Sequence, residues 1–360
     1  MLGPHQDVFM AQPIYHPSIE GAQHGAKSLA VFLDYAKAAG ATGTQPSNYM
    51  LHGGKLFKSA KEIRDTFAER GMSLDGISAH CPFWVHTSAW TGTKSGNPFF
   101  VDPALTKESP EKVEKAHESY LLKLMDLSAE LNVKVMPMFW GVAFGWELAT
   151  GYPWGFWAGP DLSAKGGKYD LLAEGKERFV KKTAKLRKHA NDLGIKICHE
   201  IHPGTAASTA DDFNMLVDIC GGDACLGVNA DPSHCWEGET WEARFLKVGS
   251  RVFAAHVKNF VIRSGFPLRA MEPNWPKRAM QFTDLGSGDL NMQRYVELLI
   301  HVGYPQRYMQ VMGTKSAPLV VEAESAHKDL DYCSADGIRY VKENLCFPVA
   351  AGSFEDGMGA

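Results

Sequence analysis

Four stretches of this chain carry side chains that could hold a metal ion and move protons. Ile195 to Gly204 reads I-K-I-C-H-E-I-H-P-G and places Glu200 and His202 where an apolar run ends. Alternate side chains of a strand share a face, so these two can reach one pocket. Ala224 to His234 ends its apolar run on Asp231, with His234 three residues further on. Val252 to Asn259 carries His256 and Lys258, and Pro318 to Ser325 carries Glu322 and Glu324. Any one of these residues alone is explained as well by a hydrogen-bonded buried polar group. Four carboxylate or imidazole strand ends together argue for a shared cation, because ionised groups are rarely buried without a partner. Three carboxylates and one imidazole suit a hard or borderline divalent metal, whereas a structural zinc would bring thiolates.

Such residues need a scaffold that gathers the ends of several strands around one mouth. Strands are expected at 7–15, 44–51, 73–80 and 133–140, and then at the four stretches above. Helices are expected at 26–39, 59–70, 110–131, 171–193, 210–220, 241–248, 292–302 and 335–344, several of them opened by Ser or Thr and closed by Gly. Strand and helix alternate throughout, which predicts a parallel sheet, and about eight such units close a (β/α)8 TIM barrel. Residues 1–349 are read as one barrel domain and 350–360 as a tail. A doubly wound open sheet is the rival, but it would open on a glycine-rich nucleotide turn. Gly286-Ser287-Gly288 is only an isolated pair of glycines.

Two long loops, 81–110 and 141–170, are rich in aromatic residues alternating with Gly and Pro. Loops of that length are usually functional, and flat rings suit the C–H faces of sugars. Trp146 in the second loop, and His80 and Trp140, which close the strands before the loops, are candidates for touching a substrate, with Arg263 a further one.

Composition narrows the field. At 360 residues, 45% hydrophobic and with a net charge of −4, the chain can bury a large core and has no general attraction for nucleic acid or an anionic membrane. Its seven cysteines form no CxxC pair and no regular framework, which fits a reducing cytoplasm. No signal peptide and no apolar run long enough to span a bilayer are evident.

The motifs E-I-H-P-G at Glu200, N-A-D-P-S-H at Asn229 to His234, H-V-K-N at His256 and V-V-E-A-E at Glu322 resemble the xylose isomerase-like barrel superfamily of sugar isomerases and epimerases. The resemblance implies that Glu200, Asp231, His256 and Glu322 hold one divalent cation, Mn2+ first, with Co2+ or Mg2+ as alternatives. It also implies that His234 meets a substrate oxygen. Glu200, Glu322, His234, His202 and Lys258 are then the candidates for moving a proton at the carbon beside a carbonyl, through an enediolate. Depending on where the proton returns, the outcome is isomerisation or epimerisation, and loss of a β-substituent gives elimination.

Ketose epimerases of this superfamily carry a second Glu and an Arg where this chain has Ala206 and Ile262, with Arg263 next door. That departure opens a second expectation, elimination from a 3-keto-glycoside, as in the similar large subunits of C-glycoside deglycosidases. The partners implied are a small sugar or glycoside, further copies of the chain, or a small second subunit. Metal-dependent DNA repair endonucleases share the superfamily, but they need extra ligands and a basic groove.

Overall fold

The computed structural model describes residues 13–21, 28–54, 56–80, 105, 107–141, 171–203, 205–236, 239–266, 277–325 and 327–347. Eight parallel strands form one sheet: β1 Tyr15–Glu20, β2 Gly43–Gln45, β3 Ser73–Leu74, β4 Val135–Met138, β5 Lys196–Glu200, β6 Leu226–Ala230, β7 Val252–Val257 and β10 Ala317–Val321. Their order is β3-β2-β1-β10-β7-β6-β5-β4. The two outer strands meet, because Ile77 N donates to Val135 O at 3.3 Å and Ala79 N to Pro137 O at 2.8 Å, so the sheet closes on itself as a TIM barrel. Seven of the eight strands are buried along nearly their whole length, which is why β4, β6, β7 and β10 read as largely apolar runs.

Helices α1 Leu29–Ala39, α2 Ala60–Ala68, α3 Pro110–Glu130, α4 Leu171–Leu193, α5 Ala210–Ile219, α6 Trp241–Val248, α7 Met292–His301, α8 Tyr304–Met312 and α9 Leu330–Tyr340 surround the sheet. Most starts follow capping chemistry visible in the sequence. Ser28, Ser59, Ser109 and Thr240 each accept a backbone N–H from the first turn, and Thr209 with Asp212 forms a reciprocal box.

Several boundaries differ from expectation. The first strand begins at Tyr15, where the expected one ends; Pro13 and Pro17 hide the run S-I-E, and residues 7–12 lie outside the described residues. The second strand is Gly43–Gln45, so of the expected 44–51 only Thr44 and Gln45 lie in it, with an isolated bridge at Ser47, and Asn48–Leu51 is a 3-10 turn. The third strand keeps ladder pairing at Ser73–Leu74 alone, although its continuation bonds to β4. The last helix starts five residues earlier than expected, capped by Asp329.

Helix α8 was not foreseen. Gly303 and Gly313, both left-handed, bracket it, and Pro305 occupies its first turn, a signal the sequence did carry. It closes the end of the barrel where the strands begin. Tyr304 OH donates to Pro318 O at 2.7 Å, Tyr308 OH to Asp75 O at 2.9 Å, and Arg307 Nε to Val252 O at 3.1 Å. On α7, Tyr295 OH reaches both Ala230 O (2.7 Å) and His256 O (3.1 Å) and so pins β6 to β7 where their chemistry-bearing residues emerge.

After β7 the chain leaves the barrel in an antiparallel hairpin, β8 Asn259–Ile262 and β9 Met280–Thr283. Asn259 anchors its root: Nδ2 donates to Leu285 O and Leu290 O, and Oδ1 accepts from Phe260 N and Leu290 N. A Cβ at residue 288 would lie 2.0 Å from Asn259 Oδ1, so the second glycine of the 286–288 pair is a packing requirement.

Candidate metal centre

The ends of β5, β6, β7 and β10 bring Glu200, Asp231, His256 and Glu322 together. One donor atom from each lies within 4.8 Å of the others, and all four residues are buried. Strand alternation explains the aim. On β5 Glu200 faces the lumen, while His199 faces outward, stacked on Phe213 of α5 with ring centroids 6.2 Å apart. Between β6 and β7 the register shifts by one residue at Val228/Asn229, a bulge of the kind that re-aims side chains beside a site.

Histidine and lysine side chains close around the four. His256 Nδ1 lies 2.7 Å from Glu322 Oε2 and 3.5 Å from Glu200 Oε2, and its Nε2 bonds Gln45 Oε1 at 2.8 Å. Gln45 thereby fixes which imidazole nitrogen faces the cluster. His234 Nε2 sits 3.1 Å from Glu200 Oε1 and 3.4 Å from Asp231 Oδ2, and His80 Nε2 sits 3.2 Å from Glu200 Oε2. Asn229 Nδ2 donates to Glu200 Oε2 at 2.9 Å. Lys258 Nζ reaches Glu322 Oε1 at 3.1 Å and Glu324 Oε2 at 2.9 Å, and lies 4.2 Å from the Phe282 ring centroid.

The charges follow from these partners. Burial raises the Glu200 and Glu322 carboxyls, but His234 and His80 for the first, and Lys258 and His256 for the second, outweigh it and hold both well below the usual carboxylate range. Burial lowers His256, and the neighbouring Glu322, Glu200 and Asp231 more than reverse this, pushing it up to about 9; burial likewise lowers His234, which Asp231 and Glu200 push up to about 9. His202 is different: burial, reinforced by the charge on His234, depresses it to about 3. Its ring is therefore neutral, and Nδ1 donates to Pro203 O at 2.6 Å.

A divalent cation fits this donor set. Three carboxylates are packed within reach of each other, and Asp231 Oδ2 is buried without a hydrogen bond, its nearest cationic side chains being His234 at 3.4 Å and Lys258 at 4.0 Å. Cation uptake would draw on the ring nitrogen of His256 that faces the cluster and so would displace a proton. At pH 7 uptake is expected to release protons and to tighten as pH rises from 6.5 to about 9. The raised histidines stabilise the metal-free fold fully below pH 6.5, and that contribution fades as pH climbs through about 9. Calorimetry in two buffers of different ionisation enthalpy checks this; equal affinity at pH 6.5 and 9 with no proton release would refute it.

The sequence-derived candidates separate clearly in space. His80, His202, His234, Lys258 and Glu324 stand beside the four donors. Trp140 stands apart from them, its ring fully buried and packed edge-on against Phe179 of α4. The neighbouring residue, Phe139, faces the pocket instead, 4.6 Å from the His80 ring and 5.0 Å from His202. Arg263 is exposed beyond the end of β8, and Trp146 lies outside the described residues. Among residues not foreseen are Gln45, Asn229, Phe282 and Glu20. Glu20 ends β1, is buried, and has its carboxyl raised by burial and by Glu322. Asn229 shares the strand face of Asp231, a signal that was legible; Glu20 ends a strand that Pro13 and Pro17 hide.

With this geometry in place, a comparison of the sequence with family models matches residues 33–332 to the xylose isomerase-like TIM barrel. The chain belongs to that family. Solved structures of the xylose isomerase-like fold resemble it over most of its length. D-allulose 3-epimerase from Methylomonas sp. is 12% identical, with 93% of this chain and 100% of that chain covered and a TM-score of 0.57. A xylose isomerase-like TIM barrel protein from Mycobacterium smegmatis, in complex with magnesium, is 16% identical, with coverage of 93% and 97% and a TM-score of 0.55. The 3-keto-D-glucoside 4-epimerase of E. coli is 11% identical, with coverage of 91% and 99% and a TM-score of 0.56. No curated protein matches the sequence. Among the described residues no helix is long and apolar enough to cross a membrane.

Proposed function

We propose that this protein is a divalent-cation-dependent enzyme that moves a proton at the carbon beside the carbonyl of a sugar or keto-sugar, in the manner of an isomerase or epimerase. The observation that carries the reading is the buried convergence of Glu200, Asp231, His256 and Glu322 next to His202 and His234. Those four residues would hold the ion, Mn2+ by preference, with Co2+ or Mg2+ as alternatives. When bound, it supplies Lewis-acid stabilisation for the oxygen charge that develops as the substrate enolises.

The chain's own residues divide the remaining work. Glu200 and Glu322, held ionised, can accept a carbon-bound proton. His234 has a proton to share from Nε2 with a substrate oxygen, and neutral His202 keeps Nε2 as an acceptor. Phe139 and Phe282 flank the imidazoles, with Phe282 5.7 Å from the His234 ring, and offer apolar faces for the C–H side of a sugar while keeping water out.

A second reading rests on what stands at the two positions where ketose epimerases carry Glu and Arg. Ala206 is buried beneath its bond to Trp140 O, and Ile262 is exposed on the hairpin, so neither offers a polar group to a simple ketose. Metal-assisted elimination of the aglycone from a 3-keto-glycoside, with a second subunit, would tolerate that change. Purified protein loaded with Mn2+ and incubated with keto-sugars in deuterated water is expected to exchange the proton next to the carbonyl. Aglycone release from 3-keto-glycosides without exchange into keto-sugars would favour the second reading, and neither result with either substrate class would remove both.

A further inference from the structure

One buried cation in this region touches no donor of the metal cluster. Arg244, on α6, is 3% exposed. Its Nε donates to Glu239 Oε2 at 2.9 Å and its Nη1 to Ile201 O at 3.1 Å; Nη2 donates to Ser208 O at 3.1 Å and to His234 O at 3.4 Å. Ile201 lies between Glu200 and His202, and Ser208 ends the same loop. Glu239 in turn accepts the N–H of Ala210, the first residue of α5, at 3.1 Å.

We propose that Arg244 is a positioning residue that locks the loops after β5 and β6 together, and so sets His202 and His234 against each other at the pocket. The proposal rests on the enolising function proposed above. Burying a guanidinium is costly unless its donors are satisfied, and the four partners named above belong to these loops or to the segment joining them to α6. The planar fork reaches two loops from one side chain, which a lysine ammonium cannot reproduce. The consequence is visible in the rings: His202 and His234 sit with centroids 4.1 Å apart at a tilt of 57°. Displacing either ring by about 1 Å is enough to cost about 100-fold in rate.

The test uses the full chain with Mn2+ added and three variants, Arg244→Lys, Arg244→Met and Glu239→Gln. Arg244→Lys is expected to lower kcat for proton exchange 10- to 100-fold, with KM and bound Mn2+ per folded chain within twofold of the parent. Glu239→Gln, which keeps the guanidinium but weakens its hold, should fall between the parent and Arg244→Lys; it also serves if Arg244→Met does not fold. A kcat per folded chain equal to the parent's in Arg244→Lys would overturn the proposal, as would a loss of Mn2+ in proportion to the loss of rate. Nitrogen-15 spectra of the histidine rings give a readout independent of turnover. The His202 and His234 signals should shift or broaden in Arg244→Lys while His199 stays put. If the parent exchanges no proton, the enolising reading fails, and the ring spectra alone then decide the clamp: unchanged signals sink it and altered ones sustain it.

Discussion

Replacing Glu322 by Gln is expected to strip the bound divalent cation and cut proton exchange by on the order of 1,000-fold or more. The amide keeps the shape of the carboxylate but removes the charge that pairs with His256 Nδ1 at 2.7 Å and Lys258 Nζ at 3.1 Å. A cation that polarises a carbonyl contributes several kcal/mol, and each 1.36 kcal/mol is tenfold in rate. Lys258 retains Glu324 at 2.9 Å, so the fold should survive. Elemental analysis per folded chain and deuterium incorporation into a keto-sugar measure the two effects. A variant that holds one equivalent of metal and exchanges at the parental rate would end the metal-centre reading.

Lys258→Met should be the most destabilising change at the site, by about 3–5 kcal/mol in the presence of a chelator. The ammonium is 3% exposed and lies within 4.0 Å of Glu322, Glu324 and Asp231, which together outweigh the lowering effect of burial and hold its pKa well above the ordinary lysine value. Methionine fills the space against Phe282 but leaves the carboxylates facing one another. A divalent cation supplies replacement positive charge, so saturating Mn2+ should recover part of the loss. Urea unfolding with and without metal tests this, and an unchanged midpoint in chelator would refute it. The exchange rate should fall as well, since the lysine holds Glu322 in place.

How much of this could be read beforehand follows from the physics of each element. Strands β5, β6, β7 and β10 are buried on both faces, so their apolar runs were unmistakable and their polar ends stood out. Glu200, Asp231, His256 and Glu322 were picked out for that reason, and the structure brings them within reach of one another. The first half of the barrel was harder. β2 and β3 are three and two residues long, and β1 contains Pro17, so local pattern carried little information. Trp140 was picked because it closes an earlier strand, and its neighbour Phe139 was passed over. Strand alternation from Met138 alone does not say which face is the lumen, and only the packing of Trp140 on Phe179 settles it. Gln45 and Phe282 owe their place to contacts across 211 and 48 residues of chain, with His256 and His234 respectively, which no local spacing encodes.

Asn259 spends all four of its hydrogen-bonding positions at the base of the β8–β9 excursion, and the glycine at 288 is fitted against it. The excursion is thus rooted at one hydrogen-bonded joint, and its returning strand comes back to the site at Phe282, whose ring packs on Lys258 and His234. Exchanging the rest of the arm leaves Glu200, Asp231, His256 and Glu322 on the ends of their own barrel strands. Chimaeras that exchange this arm between relatives, with residues 259, 282 and 288 retained, should keep cation stoichiometry while changing which compounds are turned over.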